Sequence, residues 1–287
     1  MQLHFMKYRK LSYWISGILV VLSILSLAVR GLNYGIDFAG GISMEVTPTV
    51  ADYTVDKMRH DLAEFKPELQ SVDGDSILVR VGLPKGATDA QQNERVRQIK
   101  DIFGDRVQYS QVQIVGPKIG GELVRGGILA ILVSFVLMAV YIWVRYRGGY
   151  AVGSFVSLIL DFVLMFGFFS AVGLEFNQTA IAVILMGIGY SINDKVVNYD
   201  RIDENIKKYH KMPMDDLIDL SVNEMLSRTL MTSISTILAL LGLFVFGGIA
   251  LRDFAIAMTF SVVMGTLTSI YISNVILYHF NLRETKY

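Results

Sequence analysis

Asp194 stands where an apolar run, Thr179 to Gly189, turns densely polar without any helix breaker, in the stretch Gly187-Ile188-Gly189-Tyr190-Ser191-Ile192-Asn193-Asp194-Lys195-Val196-Val197-Asn198-Tyr199-Asp200-Arg201. A charged carboxylate within a membrane span costs roughly 2.5–3.5 kcal/mol on insertion scales, so such a residue marks a functional site and needs a partner. The chemistry open to it is the uptake and release of a proton. On a 3.6-residue period Gly187, Ser191, Asp194, Asn198 and Arg201 fall on one stripe, expected to face protein or water. Ile184, Ile188, Ile192 and Val196 fall on another, expected to face lipid. A blander reading leaves Asp194 and Lys195 at the cytoplasmic interface, where long side chains snorkel.

Arg228 is the expected partner. It enters the next apolar run from the same side, with Thr232, Ser235, Ala239 and Gly242 continuing its stripe, which puts it at the depth of Asp194. A guanidinium stays charged at any pH, so proximity favours the carboxylate, and separation in a poorly hydrated site favours the neutral acid. The alternative is a static ion pair that fixes helix packing. Asp161 is a second intramembrane carboxylate, with Ser154 and Ser157 on its stripe. The candidate site residues are therefore Asp194, Arg228 and Asp161, with Ser191, Asn198, Thr232 and Ser235 as the supporting polar face. Ser261, Gly265, Thr268, Ser269 and Ser273 in the last run read as close helix packing. The small-residue faces holding Gly187, Ser191, Gly242 and Gly265 are expected to meet a partner subunit.

The elements that must position these residues follow from composition. Of 287 residues 53% are hydrophobic, and the mean hydropathy is +0.46, values of a polytopic membrane protein. Net charge is zero, so no field recruits nucleic acid. The absence of cysteine excludes disulfides, thiolate metal sites and thiol nucleophiles. Apolar runs at about 11–29, 127–144, 150–174, 179–197, 230–249 and 254–278 predict six transmembrane helices. The charge-then-apolar start resembles a signal peptide but reads as an uncleaved first span.

Between the first two spans the order strand (Ile42–Thr47), helix (Thr54–Phe65), strand (Gln70–Val72), turn at Asp73-Gly74, strand (Ser76–Val81), helix (Thr88–Phe103), strand (Val107–Val115) predicts a ferredoxin-like βαββαβ domain. Thr54 and Thr88 are N-cap candidates, and Met58, Leu62 and Phe65 repeat at helical spacing. Basic residues Arg145, Arg147, Arg201, Lys207, Lys208, Lys211, Arg283 and Lys286 place their segments and both termini in the cytoplasm, and the α+β domain outside. The chain thus divides into 1–33 (N-terminus and helix 1), 34–125 (periplasmic domain) and 126–287 (helices 2–6 with a cytoplasmic loop at 200–228). Met214, Leu217, Ile218 and Met225 suggest that this loop lies as a helix on the membrane surface.

Gly35-Ile36-Asp37-Phe38-Ala39-Gly40-Gly41 after the first span, Tyr190–Asp200 running into Asp200-Arg201-Ile202-Asp203-Glu204-Asn205, and Leu226-Ser227-Arg228-Thr229 with Thr232-Ser233 resemble the signatures of the SecF family. The likeness covers nearly the whole chain, span count included. It implies a half-transporter of the resistance-nodulation-division type in the bacterial cytoplasmic (inner) membrane. The partners so implied are SecD, the SecYEG channel with YajC, and the translocating preprotein, besides membrane lipid; the work implied is proton-driven assistance to protein export. In that family the residues matching Asp194 and Arg228 are assigned to proton conduction, so the role implied for the candidate site, with Asp161 as a further member, is that of a proton relay. Gly35, Asp37, Gly40 and Gly41 belong to the family motif. Many relatives carry Thr after this Asp, where this chain has Lys195. Adjacent residues point about 100° apart on a helix, so Lys195 need not pair with Asp194.

Other classes fit less well. Tyr199-Asp200 lacks the Gly-x-Gly-Asp partner of an intramembrane aspartyl protease, His279 lacks the Gly-x-Ser-x-Gly of a rhomboid-like one, and no phosphate loop exists. The protein is expected not to be an enzyme and to need no cofactor or metal. A scaffold that only docks translocase subunits, or half of a proton-driven small-molecule exporter, remains as the alternative.

Overall fold

The computed structural model describes residues 3–50, 52–71, 76–84, 87–146, 148–280 and 282. The Asp73-Gly74 turn, the end of its preceding strand at Val72, and Arg147, Arg283 and Lys286 lie outside the described residues. The chain forms two units: one comprises residues 1–33, 131–174 and 179–287, the other residues 34–130 and 175–178.

Helix α1 (Arg9–Arg30) is followed by the short strand β1 (Asn33–Tyr34) and a single helical turn α2 (Ile36–Ala39). Strand β2 (Gly41–Pro48) leads into α3 (Val55–Asp61), β3 (Glu68–Ser71), β4 (Ile77–Gly82), α4 (Asp89–Phe103) and β5 (Val107–Val115). The four longer strands make one antiparallel sheet in the order β3-β4-β2-β5. Alternation sets its buried face: Ile77, Val79 and Val81 of β4 point inward with Ile42, Met44 and Val46. Met58, Leu62 and Phe65 close over them from α3 and the 3-10 turn behind it, and Ile99 and Phe103 from α4. The predicted single helix 54–65 is broken at Leu62, where ψ moves to 12° and the 3-10 turn Ala63–Phe65 begins. Thr88 caps α4 in a capping box with Gln91. Thr54 occupies the N-cap position of α3 but makes no side-chain cap.

The motif after the first span is shaped by two glycines. Gly40, at φ 72°, ends α2 in a conformation that a Cβ disfavours, and a Cβ on Gly41 would stand 2.9 Å from the Val81 carbonyl oxygen across the sheet. Asp37 lies in the turn that they close. Its Oδ2 accepts a hydrogen bond from the Gln178 amide at 3.1 Å.

The remaining helices are α5 (Pro117–Arg145), α6 (Gly149–Val172), α7 (Gln178–Lys208), α8 (Met214–Phe246) and α9 (Gly248–Leu267). Strand β6 (Glu175–Phe176) pairs with β1, and α9 continues through a π-helical turn, Thr268–Ser273, into α10 (Asn274–Leu277). Among the described residues six helices, Met6–Arg30, Ile119–Arg145, Gly149–Val172, Gln178–Lys208, Met214–Phe246 and Leu251–Leu277, are long and apolar enough to cross a membrane.

In the helical unit both stripes of α7 are covered. Ile184, Ile188 and Ile192 are as buried as Gly187, Ser191, Asp194 and Asn198. The expectation of a lipid-facing isoleucine stripe is therefore corrected: within this chain the open stripe is Ala182, Met186, Gly189 and Asn193. The small residues are likewise used internally. A Cβ on Gly187 would lie 1.9 Å from Ser261 Oγ, and one on Gly265 would lie 3.0 Å from Ser191 Cβ, so on each of α7 and α9 a bare glycine receives a serine side chain of the other. Gly242 alone of that set has open space beside it.

The expected surface-lying helix is also corrected. Helices α7 and α8 run on as continuous rods beyond the apolar runs, and Leu217 and Ile218 are fully buried. Ile218 and Val222 pack with Phe5, Met6, Ile270 and Val275, and Asp219 Oδ1 accepts from the Met6 amide at 2.9 Å.

Candidate functional site

Asp161 comes from the middle of α6 and is 6% exposed. Its Oδ2 accepts from Lys195 Nζ at 2.7 Å and from Ser191 Oγ at 2.6 Å, and its Oδ1 accepts from Thr268 Oγ1 at 2.5 Å. Lys195, one of the largest fully buried side chains, also donates to Ser191 Oγ. Ser191 and Lys195 are four residues apart on α7 and so stack on one face toward α6. Thr268 stands where α9 widens into the π turn, a local departure that recurs at functional sites. Three donors on two helices converge on one carboxylate that water does not reach.

Asp194, the residue before Lys195, turns toward other helices. It is 4% exposed, and its Oδ2 accepts from Thr266 Oγ1 at 3.4 Å. Thr266 Oγ1 lies 2.8 Å from Ser233 Oγ, which in turn accepts from Tyr190 OH at 3.3 Å. The hydroxyls therefore form a directed chain from Tyr190 through Ser233 and Thr266 to Asp194, linking α7, α8 and α9. Thr266 and Thr268, two residues apart, serve the two carboxylates separately.

Arg228 is not brought to Asp194. Antiparallel ties between α7 and α8, Tyr190 with Ser233 near one end and Arg201 with Glu224 (2.7 Å) near the other, place Arg228 at the level of 194–198, so the expected match in depth holds. Its side chain, however, is exposed and turns outward from this chain, as do Thr232 and Ser235, whose hydroxyls are satisfied by carbonyls of their own helix. The ion pairs of this region among the described residues are Lys195–Asp161, Arg145–Asp200 and those of Arg201 with Glu204 and Glu224, and Arg228 belongs to none of them. The helix rotation that buries Asp194 against α9 leaves Arg228 on the outer face of α8. Asn198 is buried, with its Nδ2 unpaired among the described residues.

The motif residues Gly35, Asp37, Gly40 and Gly41 form a separate local assembly in the sheet-containing unit. The Gly35 amide donates to the Phe176 carbonyl at 3.0 Å, and Arg80 pairs with Glu175. The Arg80–Glu175 tie was not read from the sequence. Nor was the Lys195–Asp161 pair, although a lysine amid Ile192, Val196 and Val197 signalled that a buried ammonium would need its own carboxylate at matched depth.

Charges largely withheld from water midway along helices of membrane length define the class as a multi-pass membrane protein, with these buried charges as its candidate site. Residues 95–283 match the family described as protein export membrane protein SecD/SecF, C-terminal, and residues 25–49 match the SecD/SecF GG motif. The chain belongs to the SecF family. It is 40% identical to the protein translocase subunit SecF of Rickettsia felis over 98% of this chain and 92% of that one. The SecF of Cereibacter sphaeroides is 38% identical, with 93% of this chain and 86% of that one covered. Among solved structures, that of SecDF from Thermus thermophilus, a translocon-associated membrane protein, matches 96% of this chain at a TM-score of 0.85 and 32% identity. This chain spans 38% of that longer one.

Proposed function

We propose that this chain is the SecF-type subunit of a protein translocase and that, with a SecD-type partner, it uses the proton gradient to assist preprotein export. The observation that carries this reading is Asp194: a carboxylate buried at 4% exposure, with one hydroxyl on it, level with an arginine that faces away. A buried carboxylate that no cation pairs with directly favours taking up a proton, and the close approach of a cation favours its release. A membrane potential supplies about 2.3 kcal/mol per charge per 100 mV, comparable to the roughly 1.4 kcal/mol that changes a protonation ratio tenfold. Arg228, with Thr232 and Ser235 beside it, meets the SecD-type partner and resets Asp194 during the cycle. The greater length of the solved SecDF chain supports such a partner.

The sheet order β3-β4-β2-β5 within a β-α-β-β-α-β sequence supports a ferredoxin-like domain, and the position of Arg145, Arg201, Lys207 and Lys208 supports its placement outside the cytoplasm with both termini inside. SecYEG, with YajC, and the preprotein are the remaining partners in this reading. The test is preprotein import into inverted vesicles with and without an imposed pH gradient. Asp194→Asn should abolish the gradient-stimulated fraction while the complex still assembles, and stimulation that survives the substitution rejects proton use at this residue.

A further inference from the structure

We propose that Lys195 is a resident counter-cation for Asp161, so that the pair is a fixed neutral unit and Asp194 alone exchanges the proton. The inference rests on the proton-driven reading and assigns its buried charges. Taking two ions out of water costs several kcal/mol each, and the cost is recovered only where geometry and added hydrogen bonds are good. Here they are: the Asp161 carboxylate accepts from Lys195, Ser191 and Thr268, using both of its oxygens. A proton arriving on Asp161 would have to displace one of these donors. It would also leave the Lys195 ammonium, 1% exposed, without its ion-pair partner and hydrogen-bonded, among the described residues, to the Ser191 hydroxyl alone. Removing one member of a buried pair is the strongly unfavourable change.

Asp194 presents the opposite case. One hydroxyl donor stands 3.4 Å from it, and no ammonium or guanidinium pairs with it among the described residues. With Lys195 present, the buried charge of Asp161, Lys195 and Asp194 together alternates between −1 and 0 as Asp194 gains a proton. With a neutral residue at 195 and the two carboxylates unchanged, it would alternate between −2 and −1, and a second carboxylate would compete for the proton. Lys195 thus acts as a positioning residue: it touches no transported group and determines which carboxylate is the carrier.

A hydrophobic carbodiimide, which adds only to protonated carboxyl groups, reads this directly. Membranes holding the full complex are treated with dicyclohexylcarbodiimide, and the modified residues are identified by peptide mass. In the native chain Asp194 should be modified and Asp161 spared, while Lys195→Met should make Asp161 reactive as well. Modification of Asp161 in the native chain, or its continued protection in Lys195→Met, overturns the assignment. The doubly neutral Asp161→Asn/Lys195→Met protein guards against a single variant that fails to assemble. It should assemble and keep the carbodiimide reaction at Asp194, because the pair carries no proton; an assembled double variant in which Asp194 is no longer modified also overturns the proposal. Failure of the underlying reading looks different: Asp194 stays unmodified, and Asp194→Asn keeps its gradient stimulation.

Discussion

Asp194 and Lys195 are adjacent on one helix yet answer to different neighbours, because the 100° step between them points one at α9 and the other at α6. In the proposed cycle Arg228 acts from the outer face of α8, and there its shape counts as well as its charge. A lysine there would lose the planar fork and could itself give up a proton. Arg228→Lys should therefore reduce gradient-stimulated export by on the order of tenfold or more, as expected from losing a charge-assisted hydrogen bond of about 1.5–3 kcal/mol. The check is the same vesicle import assay, and near-native stimulation would show that charge alone suffices. The intramembrane carboxylates were legible in the sequence because hydropathy makes any charge in a span conspicuous. Their partners were not, since pairing depends on how each helix is rotated about its axis. Depth, which follows from counting residues along a span, placed Arg228 level with Asp194; rotation, which does not, turned it away.

Rotation is set by close contacts between helices, and two of those that α7 makes are with α9. Gly187 faces Ser261, and Ser191 faces Gly265, so each helix supplies one glycine to the other's serine. Lipid offers no hydrophobic reward for association, so such backbone approach carries the packing. Gly187→Ala should destabilise the bundle by about 1–3 kcal/mol, the usual cost of overpacking. Adding Ser261→Gly should recover most of it by removing the side chain that the new methyl meets. Thermal unfolding of the detergent-solubilised complex measures both, and an unshifted transition in Gly187→Ala would mean that the two helices can part without cost. The periodicity of α7 was readable, with its polar and isoleucine stripes separated as expected. Which stripe met lipid was not, because α7 is enclosed by its neighbours and an isoleucine packs against another helix as well as against acyl chains. The same ambiguity hid the fate of Leu217 and Ile218, whose amphipathic pattern suits a membrane surface and equally suits the cleft that Phe5 and Met6 fill.

At the scale of the molecule, a helical unit that holds the buried charges is joined to a sheet-containing unit with its own core. The second unit was the more legible, since strands alternate with period two and its longer helix α4 carries a capping box, both local signals. Its tertiary polar ties were not foreseen, and one of them makes stability depend on pH. Asp61 Oδ2 accepts from Tyr53 OH and from Arg106 Nη1, each at 2.9 Å, and the Arg106 guanidinium lies 4.4 Å above the Tyr53 ring. The Tyr53 hydrogen bond, with Arg106 behind it, holds the Asp61 carboxyl below its ordinary range. Burial, with Asp61 beside it, pushes the Tyr53 phenol up to about 12, so it remains a donor at any ordinary pH. A carboxylate whose folded value is depressed contributes stability that is fully present above its unfolded value, about 3.9, and that is lost as pH falls through the folded one. An excised 34–116 fragment should thus melt cooperatively at neutral pH. Below about pH 4 its transition should fall more steeply than that of Asp61→Asn, which lacks the titrating group and starts from a lower transition. Calorimetric scans of both fragments from neutral pH to the acid limit decide the matter. Curves that stay parallel throughout would remove Asp61 from the acid response and leave the other carboxylates of the unit to account for it.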